Sequence, residues 1–434
     1  MSTPARFDRG HTDDLMTFLA ASPTPYHAVA NAAERLEKAG FRQVRETDAW
    51  EGTTGGKYVL RGGALIAWYV PEGAAPHTPF RIVGAHTDSP NLRVKPLPDT
   101  GAYSWRQVAV EVYGGPLLNT WLDRDLGLAG RLSLRDGTHR LINVDRPLMR
   151  VPQLAVHLDR GVNTDGLKLN PQRHMQPIWG LGEAEEGDLI RFVAEEAGLD
   201  ASDVTGWDLM AHSVEPPAYL GRDRELMAGP RMDNLLSVHA GTAALAAVAG
   251  SAASGTALPY IPVLAAFDHE ESGSQSDTGA DGPLLGTVME RSVLARGGSY
   301  EDRARALAGT VCLSSDTGHA VHPNYAERHD PTHHPRANGG PILKVNVNMR
   351  YATDGGGRAV FAAACERAGV PWQTFVSNNS MPCGTTIGPI TAARHGIKTV
   401  DIGAAIVSMH SARELCGADD PFLLANALAA FLES

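Results

Sequence analysis

The chain has 434 residues, too many for one simple core, which predicts two domains or one large domain carrying an insertion. Lys and Arg number 38 against 49 Asp and Glu, a formal charge of −11, which argues against nucleic acid and against anionic membrane surfaces as partners. The four cysteines, Cys312, Cys365, Cys383 and Cys416, show neither metal-ligand pairing nor the density of a disulfide scaffold; the first eight residues lack an apolar leader core, and no run approaches a membrane span. The expectation is a cytoplasmic chain with reduced thiols.

In chain order, apolar residues recur at helical spacing over 12–21 and 26–40, each ending at a proline or glycine. Residues 57–61 and 64–70, joined by Gly62-Gly63, read as a hairpin, and 81–85 as a strand ending at His86. After Pro96 the rhythm becomes all-β: short strand-like runs at 107–113, 129–134, 139–144 and 153–158 are separated by Gly, Asp and Pro, with one helix at 186–198. From Gly229 onward Ala-rich helices (235–253, 282–295, 359–368, 421–432) alternate with apolar strands (261–267, 311–314, 344–348, 399–402), while 297–308 reads as a mobile connection. The arrangement expected is one α/β domain built from residues 1–95 and 223–434, its sheet mixed and mostly parallel with helices on both faces, plus an inserted β-rich domain at 96–222.

The chemistry gathers at strand ends. The apolar run Ile261 to Phe267 leads into Asp268-His269-Glu270-Glu271-Ser272-Gly273, and two adjacent acids repel unless something positive lies between them. A metal answers that need, because one carboxylate coordinates while the other moves a proton. His86 and Asp88 form a His-x-Asp at another strand end, where one ligates and the other orients the ring. Asp316 follows 311–314, His410 follows 402–409, and Asp233 opens the helix after Gly229. Taken singly, these read as a structural histidine, a turn cap, a core-edge histidine and a helix N-cap. Their recurrence at the carboxyl ends of strands, where open α/β sheets place their sites, favours a metal centre. Imidazole with carboxylate suits Zn, Mn or Co better than Ca or Mg. Lys344 lies inside a strand-like segment, and spacing alone favours a lysine that snorkels to the surface over one presented to a pocket.

Taken together, Gly84 to Pro90, Phe267 to Gly273, Asp316 to Tyr325 and Met381 to Pro389 resemble the aspartyl aminopeptidases, a family of dinuclear zinc metallo-aminopeptidases, over about residues 22–432. The resemblance implies the zinc-aminopeptidase fold with two divalent ions per subunit, Zn2+ before Mn2+ or Co2+. One ion is assigned to His86, Asp233 and Asp316, the other to Asp233, Glu271 and His410. It implies Glu270 as general base and Asp88 as the acid behind His86. His157 matches a histidine that reaches from the inserted domain into a neighbouring subunit's site to stabilise the oxyanion. His319, Lys344 and Tyr351 match the substrate pocket, alongside His157, Glu270 and Asp316.

The implied reaction is removal of an N-terminal Asp or Glu from a peptide, with Lys344 reading the acidic side chain. The implied assembly is a homo-oligomer, a tetrahedral dodecamer built from dimers through the inserted domain. A dinuclear aminopeptidase of broad or neutral preference, and a catalytically silent scaffold or cargo protein, are the alternatives.

Overall fold

The computed structural model describes residues 5–50 and 54–434, so the first residues of the leader reading, Met1–Pro4, lie outside the described residues. The chain divides into two compact units, one formed by Met1–Asp88, Pro217–Met409 and Glu414–Ser434, the other by Ser89–Pro216 and His410–Arg413.

The first unit is built on a nine-stranded sheet. Its order is Arg42–Gln43, Gly55–Arg61, Ala64–Val70, Ile261–Phe267, Phe80–His86, Val311–Ser315, Lys398–Gly403, Ile342–Val345, Gln373–Val376. Five of the eight pairings are parallel. Every residue of Ile261–Phe267 is buried, because successive side chains enter two different cores. Leu264, Ala266 and Val83 pack in the core shared with Met232–Ala253 and Asp420–Leu432; Val263, Ala265 and Ile82 pack in the core shared with Leu284–Ala295. A strand covered on both faces must be apolar at every position, which is why these runs show no alternation. The expected α/β sheet with helices on both faces is therefore the one observed.

Two expectations are corrected in this unit. The first concerns Met232–Ala253, a 22-residue helix containing a stretch of mean hydropathy 1.5, long and apolar enough to cross a membrane, contrary to the reading that no run approaches that length. The helix is instead core: 67% of that stretch is buried. It lies so close to the sheet that a Cβ on Gly241 would sit 2.7 Å from Leu264 Cδ1. The second concerns 297–308. Tyr300–Ala308 is a helix, started by a capping box in which Ser299 Oγ accepts from Asp302 N at 3.2 Å and Asp302 Oδ2 accepts from Ser299 N at 2.9 Å.

The second unit carries a six-stranded antiparallel sheet, in the order His139–Met149, Leu126–Leu134, Val204–Ser213, Asn91–Ala102, Trp105–Tyr113, Ile178–Leu181. Helix Asp188–Glu196 covers it with Leu189 and Val193. The strand expected at 153–158 is a turn, closed by Leu158 N donating to Ala155 O at 2.8 Å. Pro152 removes a ladder donor just past the isolated bridge at Val151, and Leu154, Val156 and Leu158 are left exposed.

Candidate metal centre

Three neighbouring parallel strands of the first unit end on the same side of the sheet. Phe80–His86 delivers His86; Ile261–Phe267 leads to the short turn Glu270–Ser272; Val311–Ser315 leads to Asp316. Asp233 arrives from the start of Met232–Ala253, where the backbone departs from helical geometry (φ −79, ψ 101). The parallel register fixes which side chains meet.

His86 is buried, and its Nδ1 donates to the carbonyl of Asp88 at 3.0 Å, which fixes Nε2 as the lone-pair nitrogen of the neutral ring. Nε2 lies 3.3 Å from Asp233 Oδ1, 3.6 Å from Asp316 Oδ1 and 4.0 Å from Glu270 Oε2. The donor atoms of His86, Asp233 and Asp316 all fall within 4.8 Å of one another, as do those of His86, Glu270 and Glu271. Asp233 and Asp316 thus take neither of their bland roles, helix cap or turn cap; both carboxylates face one imidazole.

So many acids in so little space repel. Burial, the largest cause, pushes Glu270 up to about 8; His86 opposes it, while Asp316, Asp88 and Asp233 add to it. His86 moves well above its ordinary value despite the opposing effect of burial, because Asp233, Asp316 and Asp88 all favour a positive charge there. A buried cluster that stabilises positive charge at an imidazole nitrogen flanked by carboxylates has the donor chemistry of a borderline divalent cation such as zinc.

Asp88 does more than its spacing indicated. It is fully buried, and besides standing 3.4 Å from His86 Nδ1 it accepts the backbone N–H groups of Glu270 at 3.1 Å and Glu271 at 3.0 Å. Asp88 therefore orients the histidine ring through its carbonyl and, through its carboxylate, holds the turn that presents both glutamates. Two further supports escaped the sequence reading. Glu414 Oε2 accepts from Asp233 N at 3.0 Å. Gly403, at the end of Lys398–Gly403, lies so close to the Asp316 carbonyl that a Cβ would sit 1.6 Å from it. A glycine closing a strand signals just such a close backbone approach.

Beyond the cluster, Lys344 overturns the snorkel reading. It is 1% exposed, its Nζ donates to the Thr317 carbonyl at 2.7 Å, and it stands 3.8 Å from Asp316 Oδ2 and 5.4 Å from the centre of the Tyr351 ring. Phe375, which the sequence reading does not single out, packs beside two of the positions that it does: His319 meets its ring edge-on at 5.8 Å and Tyr351 at 6.3 Å. The histidines of 322–333 find local partners. His329 Nε2 accepts from His322 N at 3.0 Å, and His333 Nδ1 pairs with Asp330 Oδ1 at 2.8 Å.

His157 and His410 belong to the second unit. His157 is exposed in the 155–158 turn. His410 is anchored there, its carbonyl accepting from Leu117 N at 2.9 Å and its Nδ1 donating to the Gly115 carbonyl at 3.0 Å. That bond gives His410 the same lone-pair nitrogen, Nε2, as His86.

Residues 18–432 match the family described as aminopeptidase I zinc metalloprotease, M18. The chain belongs to this family. A probable M18 family aminopeptidase 2 of Streptomyces coelicolor is 84% identical over 434 residues, the whole of both chains. Among solved structures, a chain of the Ape4 and Nbr1 complex superposes with a TM-score of 0.93 at 33% identity, covering 99% of this chain and 88% of that one. The S. cerevisiae mApe1 dodecamer gives 0.85 at 28% identity, covering 98% and 96%. As an M18 member the chain is a zinc aminopeptidase, a hydrolase that removes the residue at a peptide's N-terminus.

The M18 assignment and the donor set agree. Gly403→Ala tests how tightly the backbone holds a donor: overpacking of this kind costs about 1–3 kcal/mol, and here the strain falls on Asp316. The expected outcome is a lower Tm together with zinc lost at chelator concentrations that the parent enzyme withstands, read by metal analysis after dialysis. A variant with unchanged zinc retention would show that the Asp316 backbone has room to move.

Proposed function

We propose that this M18 enzyme removes N-terminal Asp or Glu from peptides and that Lys344 sets the preference. The observation that carries the reading is the burial of the Lys344 ammonium between Asp316 and Tyr351. In this reading the Asp316 carboxylate beside it is shared with a metal, so the ammonium keeps its attraction for an acidic substrate side chain, which a Leu substrate does not supply. A protein of net charge −11 does not attract acidic peptides by its overall field, so the local cation has to do the selecting.

His86, Asp233 and Asp316 would hold one divalent ion, and Asp233, Glu271 and His410 the other, zinc in both by donor chemistry, with manganese or cobalt as substitutes. Bound there, the ions supply Lewis acidity toward the scissile carbonyl and lower the pKa of the attacking water. Glu270 takes that water's proton and returns it to the leaving amine. Asp88 keeps the Glu270 and Glu271 turn in place through its two backbone bonds. Side-by-side kinetics on Asp-, Glu-, Leu- and Lys-anilides test the preference. Higher kcat/KM for Asp and Glu supports it; equal values across the four assign the chain to the broad-specificity reading.

The exposed His157 serves, in this reading, a neighbouring subunit, donating to the oxyanion of the tetrahedral intermediate. The assembly proposed is a homo-oligomer, a cytoplasmic tetrahedral dodecamer of dimers, with 96–222 as the oligomerisation domain; the mApe1 structure is a dodecamer. His157→Phe is expected to lower kcat by about 10²–10³-fold, the usual effect of one lost oxyanion donor. Mixed with inactive Glu270→Gln protein, it should regain part of its activity, since a hybrid site takes Glu270 from one chain and His157 from the other. Absence of rescue in co-assembled oligomers would place His157 outside its neighbour's site.

A further inference from the structure

Asp401 is a fully buried acid to which the reaction, as described, gives no part. It lies on Lys398–Gly403, paired in register with Ser314 of Val311–Ser315. On its other side the antiparallel register sets Leu343 opposite Ile402, and continued by one pair it sets Lys344 opposite Asp401; burial raises the Asp401 carboxyl, and Lys344 is among the groups that oppose that rise. Its carboxylate grips two loops at once: Oδ2 accepts from Ala352 N at 2.6 Å and Oδ1 from the Thr386 hydroxyl at 2.5 Å. Its backbone N–H donates to Thr353 Oγ1 at 2.9 Å.

Those loops form one wall of the pocket. The first carries Tyr351, and the second, ending at Thr386, carries Cys383 into the small cluster that contains Tyr351 and Phe375. Space for the carboxylate is kept by Gly388, where a Cβ would fall 2.3 Å from both Asp401 oxygens. The helix Ile387–His395 thereby brings its N-terminus against the acid, an arrangement that favours negative charge. A fully buried carboxylate that ties both loops to the strand beside Lys344 is placed to set their geometry.

We propose that Asp401 is a positioning residue for acidic-substrate recognition: it holds the Tyr351 and Thr386 loops in register with Lys344 and balances that buried ammonium before substrate arrives. The inference rests on Lys344 and Tyr351 forming the specificity pocket.

The test is steady-state kinetics on the full-length, zinc-loaded enzyme with Asp- and Leu-anilides. Losing a charge-assisted hydrogen bond at the wall should raise KM for the Asp-anilide about tenfold in Asp401→Asn. Zinc content and kcat should stay near those of the parent enzyme, and Leu-anilide kinetics should change little, so the Asp-over-Leu ratio falls. Thr386→Val should move in the same direction by less, and Thr386→Ser, which keeps the hydroxyl, should restore the parent values. A merely structural role would lower Tm and the active fraction without changing KM or the ratio, and that result overturns the proposal. If Asp401→Asn does not fold, Thr386→Val decides by the same criterion. Lys344→Leu, run alongside, separates the two layers. A ratio lost in Lys344→Leu but kept in Asp401→Asn and Thr386→Val overturns this inference alone; a ratio kept in Lys344→Leu overturns the pocket reading and this inference with it.

Discussion

Glu270→Gln is expected to lower kcat by about 10²–10⁴-fold, the contribution of a positioned general base, while zinc content stays at the parent level. The amide fills the same volume and keeps the backbone N–H that donates to Asp88 at 3.1 Å, so the turn presenting Glu271 should persist. What disappears is the one atom able to take the water's proton. Without bound metal, burial first and the neighbouring carboxylates after it push Glu270 up to about 8, so metal-free Glu270→Gln should be the more heat-stable protein above that pH. Near-normal kcat in Glu270→Gln would remove this residue from its role, and lost zinc would make it a ligand.

Lys344→Leu is expected to cut the Asp-over-Leu ratio in kcat/KM by about two orders of magnitude or more, because sites built around a buried polar partner discriminate far more strongly than apolar ones. The change should come mainly from the Asp-anilide, whose carboxylate would meet a leucine where the ammonium stood. Asp316 would lose its cationic neighbour at 3.8 Å, but a metal ligand keeps the ion as its counter-charge, so zinc retention should change little. Removing the cation leaves the buried Asp401 without a nearby counter-charge, so Tm should fall. A broad fall in activity on every anilide, with the ratio intact, would make Lys344 a support for Asp316 instead of the reader of the substrate.

Much of this was legible in the sequence because the sheet is covered on both faces. A strand such as Ile261–Phe267 must then be apolar throughout, and its end is marked where acids begin. His86, Glu270, Glu271 and Asp316 stand out for that reason, each lying at or just past the end of a buried run. Supports that act through backbone atoms were not legible. Neither Asp88 accepting two amide N–H groups, nor Glu414 accepting from Asp233 N, has a spacing signature.

Lys344 was misread because a strand pattern shows which face a residue occupies and says nothing of whether that face opens to water or onto a pocket. The strand expected at 153–158 shows the complementary error: alternating apolar residues predict sheet there, yet Pro152 interrupts the ladder. The helix Tyr300–Ala308 was readable from Ser299 and Asp302, three residues apart, but its sparse apolar face concealed it.

The central claim, that donors from separate segments hold a pair of ions and leave Glu270 uncoordinated, is tested most directly by anomalous diffraction from crystals of the zinc-loaded enzyme at the zinc edge. The account predicts two peaks per subunit, one among His86, Asp233 and Asp316 and one among Asp233, Glu271 and His410, with Glu270 bound to neither. A single peak, peaks ligated by other side chains, or Glu270 in direct coordination would contradict it.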